Sequence, residues 1–198
     1  MLILAKKSST KRSLMDRSGL EYIAMLADVD ECSIENAHPS LNAKETVILL
    51  ARAKAKKLSL VYPNEFIIAA DTFGVLPDGS RLHKAKTTEE TMKMCLSQSG
   101  QTVTIYTGIC VAHRSKFHTD TTETKITYTN FDRTTLEKVW VRVAGSVRRN
   151  AALGFHVDAL GFTLVERIEG SYLGALGLPL DKVRLLLHQV GYKNIDYT

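Results

Sequence analysis

Three groups of polar side chains could carry chemistry in this chain, and each directly follows a short apolar run. Lys6, Lys7, Ser8, Ser9, Thr10, Lys11 and Arg12 come after residues 2–5, Asp28, Asp30 and Glu31 after residues 22–27, and Asp71 and Thr72 after residues 66–70. Ligands of open α/β sheets gather at the carboxyl ends of strands, so these are the places where a site would form. Cations and hydroxyls grip phosphate, while a separate set of carboxylates holds magnesium or activates water. Together the three groups describe a phosphate-ester site. Each also has a plainer reading alone: the basic stretch as solvated surface, the acidic run as a helix-capping turn, and Asp71 as the cap of a turn.

Lys54 stands out by position. On a helical projection it falls about 20° from Val47, within the stripe of Ala43, Val47, Leu50, Ala51 and Leu58. A lysine there is partly buried and needs an anionic partner, either a carboxylate or a substrate phosphate, unless its stem snorkels past the stripe to water. Lys84 is a weaker case of the same kind and reads alone as a surface lysine. Neither a Walker A motif nor GxGxxG occurs, and residues 170–177 lack the lysine of a P-loop. His38, His83, His113, His118, His156 and His188 show no metal-binding spacing.

Alternating helices and strands must position these groups. Residues 2–5, 22–27 and 66–70 read as strands, the third ending at Asp71, and residues 74–82 fold back through Pro77-Asp78-Gly79. Asn42 with Glu45, and Thr87 with Glu90, are capping boxes that open helices running to about Leu58 and Ser99. Residues 102–113 and 116–128 fit an antiparallel pair, Thr134 with Glu137 opens a further helix, and Pro179 starts a last one with Val183, Leu186, Leu187 and Val190 at i, i+3, i+4 and i+7. Residues 170–177 read as a loop into that helix. The pattern predicts a mixed, twisted α/β sheet flanked by helices, in one continuous domain over residues 1–198.

Composition narrows the class. The chain has 198 residues, 44% of them hydrophobic, enough for one domain or two small lobes with a sizeable core. Lys plus Arg number 26 against 21 Asp plus Glu, a net charge of +5, so a polyanionic ligand is in view. The longest apolar runs are far short of the roughly 20 residues that span a bilayer, and no secretory pattern opens the sequence, so no membrane role and a cytoplasmic location are expected. Cys32, Cys95 and Cys110 are too dispersed for a disulfide framework or a zinc knuckle, and read as small buried side chains.

The order and spacing of several segments resemble the Maf family of nucleotide pyrophosphatases, related in fold to the inosine triphosphate pyrophosphatases. The segments are Leu2-Ile3-Leu4-Ala5 with Ser8 beyond, Asp30-Glu31, Ala53-Lys54-Ala55, Ala70-Asp71-Thr72, Leu82-His83-Lys84, Thr107-Gly108, Ile168-Glu169-Gly170-Ser171-Tyr172 and Gly177-Leu178-Pro179-Leu180. The resemblance implies two lobes with a cleft, a homodimer, and metal-dependent hydrolysis of a nucleoside triphosphate to monophosphate and pyrophosphate, with magnesium the expected ion. By the same analogy Asp71 is the general base or a metal ligand and Glu31 a metal-linked carboxylate. Lys54 and Lys84 are phosphate ligands, and Ser8 belongs to the phosphate loop. Thr72 favours the branch that acts on dTTP and UTP.

Two departures stand out. The family's Ser-Pro-Arg-Arg corresponds here to Ser8-Ser9-Thr10-Lys11, or with a one-residue slip places Lys11 and Arg12 on the arginines; lysine cannot grip phosphate bidentately as arginine does. The family's Lys-Ala-Gly-x-Tyr-x-Ile-Gln-Gly corresponds to residues 151–159, which lack the lysine and set Asp158 at the glutamine tied to substrate selection. These departures keep open a nucleotide-binding regulator without turnover. A basic nucleic-acid-binding module is the rival from another class, raised by Lys6, Lys7, Lys11, Arg12, Lys56, Lys57, Arg148 and Arg149, although no recognised binding motif accompanies them. An ionised aspartate only accepts hydrogen bonds, so Asp158 suits bases that present donors better than uracil or thymine carbonyls. A dTTP and UTP preference is therefore expected to be relaxed, and Asp158→Gln to restore it. Preference for dTTP by more than about tenfold over CTP and GTP, unchanged in that variant, would refute the assignment.

Overall fold

The computed structural model describes residues 1–5, 9–82, 85–142 and 160–193. From the amino terminus the chain forms β1 (Leu2–Leu4), α1 (Ser9–Arg17), β2 (Ile23–Ala24), α2 (Glu31–Asn36), α3 (Ala43–Ser59), β3 (Phe66–Val75) and β4 (Arg81–Leu82). It continues through α4 (Thr88–Leu96), β5 (Thr102–His113), β6 (Lys116–Tyr128), α5 (Arg133–Arg142), β7 (Val165–Gly170), α6 (Tyr172–Ala175) and α7 (Leu180–Gln189). A seven-stranded sheet runs in the order β2-β1-β3-β5-β6-β7, with β4 paired to β3. Strand β1 is parallel to both β2 and β3, whereas the β3–β4 and β6–β7 pairs are antiparallel. This is the mixed α/β architecture that the sequence predicts.

By contact density the chain divides into two compact units, one of Met1–Asp71, Thr107–Thr122 and Gly177–Thr198, the other of Thr72–Tyr106 and Glu123–Leu176. Helix α3 dominates the first. Asn42 accepts from the Glu45 amide at 3.0 Å while the Glu45 side chain accepts from the Asn42 amide at 2.9 Å, satisfying two amides that the first turn leaves unpaired. Ala51, Ala55 and Leu58 then pack with Ile3, Ile67, Ala69, Cys110 and Ala112 in one buried cluster. So many small side chains let the helix lie close to the strands. Gly108 makes the approach closest, because a Cβ there would sit 2.4 Å from the Val47 carbonyl carbon and oxygen and 2.5 Å from the Ile48 nitrogen.

In the second unit β3 turns into β4 through residues 76–80, where Gly79 adopts a φ of +85° and the Asp78 carboxylate accepts from the Ser80 amide at 2.8 Å. Helix α4 opens on the Thr87 and Glu90 capping box. Strand β7 pairs with β6 from Thr124↔Gly170 to Tyr128↔Val165.

Several boundaries differ from the sequence expectations. Strand β3 does not stop at Asp71 but runs through it to Val75, since the carboxylate is met inside the fold by a cation. Helix α1 starts at Ser9, so Thr10, Lys11 and Arg12 are helical and not loop. Asp132, not Thr134, opens α5 by accepting from the Thr135 amide at 2.8 Å. Strand β7 has no counterpart among the expected elements, and the short α6, whose Ser171 cap accepts from the Gly174 amide, occupies part of the stretch read as loop. Cys95 and Cys110 are buried, and burial pushes both thiols up to about 12, but Cys32 is exposed on α2.

Backbone geometry leaves no room for a side chain at residue 108, so Gly108→Ala is expected to lower the unfolding free energy by about 2 kcal/mol, the usual scale of overpacking. A urea midpoint equal to that of the parent would show that β5 and α3 need no glycine between them.

Candidate active site

Three of the predicted site residues meet at one point. Along β3, Ile67 and Ala69 lie in the cluster packed against α3, and the period of two carries Asp71 to that same face. On α3, Lys54 lies one turn beyond Leu50 and Ala51 and, like them, is buried, with only 2% of its surface exposed. Its ammonium donates to Asp71 Oδ1 and lies 2.6 Å from Glu31 Oε1. Glu31 arrives from α2, whose N-cap Asp30 accepts from the Ser33 amide at 3.0 Å and from the Ser33 hydroxyl at 2.6 Å. Those two bonds hold the Asp30 carboxyl below its usual range. Within the acidic run, Asp30 is the helix cap and Glu31 the carboxylate that meets Lys54.

Burial alone would push the Lys54 pKa down, but Asp71 and then Glu31 outweigh it and hold the ammonium above the ordinary lysine range. The Asp71 side chain is 7% exposed and that of Glu31 41%, so one carboxylate faces the interior and the other reaches solvent. The anionic partner that a lysine in the α3 stripe requires is therefore a pair of protein carboxylates in this structure.

The other candidates are placed differently. Lys11, 5% exposed, donates to the Gly177 carbonyl at 2.7 Å and ties the first turn of α1 to the chain just before α7. Arg12 is exposed and Thr10 half-buried on the same helix. Thr72 follows Asp71 on β3, so the pleat turns it to the opposite face. Ser8, Lys84 and Asp158 lie outside the described residues. Sequence reasoning passed over the structural role of Gly108, although a glycine inside an alternating strand is itself a sign of close backbone approach. The tie of Lys11 to Gly177 spans 166 residues and leaves no local trace, so the sequence offers Lys11 as a phosphate ligand, a nucleic-acid contact or solvated surface but not as a buried tie.

The carboxylate–ammonium–carboxylate arrangement sits in a chain whose residues 1–190 match the model of the family described as Maf-like protein. The chain belongs to that family. A dTTP/UTP pyrophosphatase of Pyrococcus furiosus is 33% identical to it over 97% of this chain and 96% of the relative. A 7-methyl-GTP pyrophosphatase of Alkalilimnicola ehrlichii is 34% identical, over 96% and 94%. A protein named nucleoside triphosphate pyrophosphatase from Corynebacterium diphtheriae is 29% identical, over 99% and 97%. Among solved structures, the Staphylococcus aureus Ham1 protein covers 65% of this chain and is itself covered over 72%, a loose likeness at 15% identity and a TM-score of 0.41.

Replacing Lys54 leaves Asp71 buried without its cation. Lys54→Met is expected to lower the unfolding free energy at pH 7 by about 3 kcal/mol, the low end for breaking a buried pair because Glu31 is open to solvent. The pH dependence has a definite sign. The folded Lys54 pKa lies above its ordinary value of 10.5, so its stabilisation is complete below that pH and fades as pH climbs through the folded value. The stability gap between parent and variant should hold from neutral pH to about pH 10 and narrow above it. A gap already closed at pH 8 in urea titrations would refute the pairing.

Proposed function

We propose that this chain hydrolyses a nucleoside triphosphate between the α and β phosphates, releasing a monophosphate and pyrophosphate. The observation that carries the reading is the junction of Asp71, Lys54 and Glu31 in a Maf-like chain: an inward carboxylate, a buried ammonium and a second carboxylate open to solvent. The pyrophosphatase names of relatives that align over nearly the whole chain support it.

Glu31 and Asp71 are hard oxygen donors that already converge on one cation, the Lys54 ammonium, and that donor chemistry suits a divalent ion such as magnesium. When bound, magnesium would supply positive charge against the triphosphate oxygens. Asp71 takes the proton of the attacking water as its oxygen bonds to the α-phosphorus. The bridging bond from the α-phosphorus to the β-phosphate oxygen breaks, and pyrophosphate departs with that oxygen. Lys54, with Lys84 by the family resemblance, neutralises charge on the departing group. Carboxylates alone would repel the substrate, so the cations are essential to its approach.

On this reading Thr72 and Asp158 set the base preference, Ser8, Thr10, Lys11 and Arg12 belong to the segment that serves the triphosphate, and the active form is a cytoplasmic homodimer. Among the described residues no helix is long and apolar enough to cross a membrane, which accords with a nucleotide substrate in aqueous solution.

The direct test incubates the purified protein with a panel of nucleoside triphosphates and magnesium, and separates monophosphate plus pyrophosphate from diphosphate plus phosphate. Pyrophosphate is the expected product. Asp71→Asn keeps the shape and the oxygen that Lys54 meets while removing the base, so the rate should fall by roughly a hundredfold or more in a folded protein. Binding of nucleotide without turnover in the parent would mean a regulator, and full activity in Asp71→Asn would place the base elsewhere.

A further inference from the structure

The Lys54 ammonium occupies the point toward which both carboxylates are directed. It donates to Asp71 Oδ1, approaches Glu31 Oε1 at 2.6 Å, and is itself 2% exposed. A divalent cation placed on the same two oxygens would have to displace it. The displaced ammonium, anchored on the buried face of α3, would then lie beside two positive charges with no anion of its own. Buried charges without a partner are strongly disfavoured, and like charges at such range repel. A triphosphate removes the difficulty, since its oxygens give the displaced ammonium a new partner while the metal takes the carboxylates.

We infer that Lys54 holds the place of the divalent cation between Glu31 and Asp71, so that metal enters this site together with the nucleotide and not before it. The inference rests on the proposed function and adds an order of assembly to it. Lys54 is then an exchangeable counter-ion, paired with protein carboxylates in the free chain and with phosphate oxygens in the complex. Metal and nucleotide must each tighten the binding of the other by the same factor, because the coupling is reciprocal. A free protein in this state does not collect divalent ions at its base, which keeps Asp71 away from metal until there is an α-phosphate to attack.

The test titrates the intact protein and its Lys54→Met variant with Mn2+, following free Mn2+ by electron paramagnetic resonance, with and without a UTP analogue whose α,β bridge is a methylene group. In the parent, Mn2+ should bind at least about tenfold more tightly with the analogue than alone. In Lys54→Met, Mn2+ alone should bind at least about tenfold more tightly than in the parent, and the gain from the analogue should shrink. A second measurement follows thermal unfolding, in which Mn2+ alone should raise the midpoint of the variant and leave that of the parent unchanged. Equal Mn2+ affinity in the parent with and without analogue would overturn the inference, and this arm stands even if the variant fails to fold. A folded variant that binds Mn2+ no better than the parent would overturn it as well. Pyrophosphate release by the parent separates the two claims. Turnover combined with tight binding of Mn2+ alone sinks the inference and spares the function; no turnover combined with a Mn2+ site gained in Lys54→Met sinks the function and spares the guarding role of Lys54.

Discussion

A lysine ammonium buried between two carboxylates constrains how the elements around it can pack. Asp71 lies within a ten-residue strand in which the four preceding residues, 67–70, are apolar and buried, and an ionised carboxylate there is tolerated only with a cation in hydrogen-bond contact. That cation must come from α3, so the helix has to lie close enough for a lysine stem to reach the strand. The alanines at 51, 55, 69 and 112 and the glycine at 108 supply that closeness. Glu31 then approaches from the solvent side as the first residue of α2, which Asp30 caps. Loss of a partner in such a cluster costs about 3 to 5 kcal/mol, comparable to the loss of a large core side chain.

Much of this was legible in the sequence because it is written in local rules. Both capping boxes are four-residue patterns, and the paired strands β5 and β6 carry long alternating or threonine-rich runs. Lys54 betrayed itself by falling on an apolar stripe. What the sequence hid depends on partners distant along the chain. Asp71 read as the end of a strand because an isolated charge ordinarily ends an apolar run, and nothing local reveals a lysine 17 residues earlier waiting for it. Strand β7 escaped notice because Val-Glu-Arg-Ile-Glu-Gly has no continuous buried face; its side chains are half-buried or exposed, and pairing with β6 alone defines it. Residue type predicts a buried Cys32, but its helix buries none of its six residues.

The basic composition reads differently once the charges are placed. Lys54 is neutralised by Glu31 and Asp71, Lys182 lies 2.9 Å from Asp120, and Arg133 bridges Glu89 and Glu137 at 3.1 and 2.9 Å. Lys56 and Lys57 occupy the last turn of α3, where cations complement the helix dipole and need no ligand to explain them. Of the cations that suggested a nucleic-acid surface, Lys11 is buried, and Lys6, Lys7, Arg148 and Arg149 lie outside the described residues. Among the described residues, these cations are accounted for one by one by ion pairs, a buried tie and a helix end.

The amino-terminal segment shows how placement refines an alignment. Two registers of residues 8–12 against the Ser-Pro-Arg-Arg pattern differ in whether Lys11 pairs with Thr10 or with Arg12, and both assign Lys11 to phosphate. In the structure its ammonium is engaged inside the protein by the Gly177 carbonyl, while Arg12 on the next position of α1 is exposed. Adjacent helical residues point about 100° apart, so one cannot be buried toward Gly177 and share the outlook of the other. The bidentate grip that a lysine lacks is available in this segment from Arg12. Lys11 instead joins the first turn of α1 to the chain entering α7, linking the start of the fold to its last helix. In three dimensions the segment sets a buried lysine tied to the Gly177 carbonyl beside an exposed arginine.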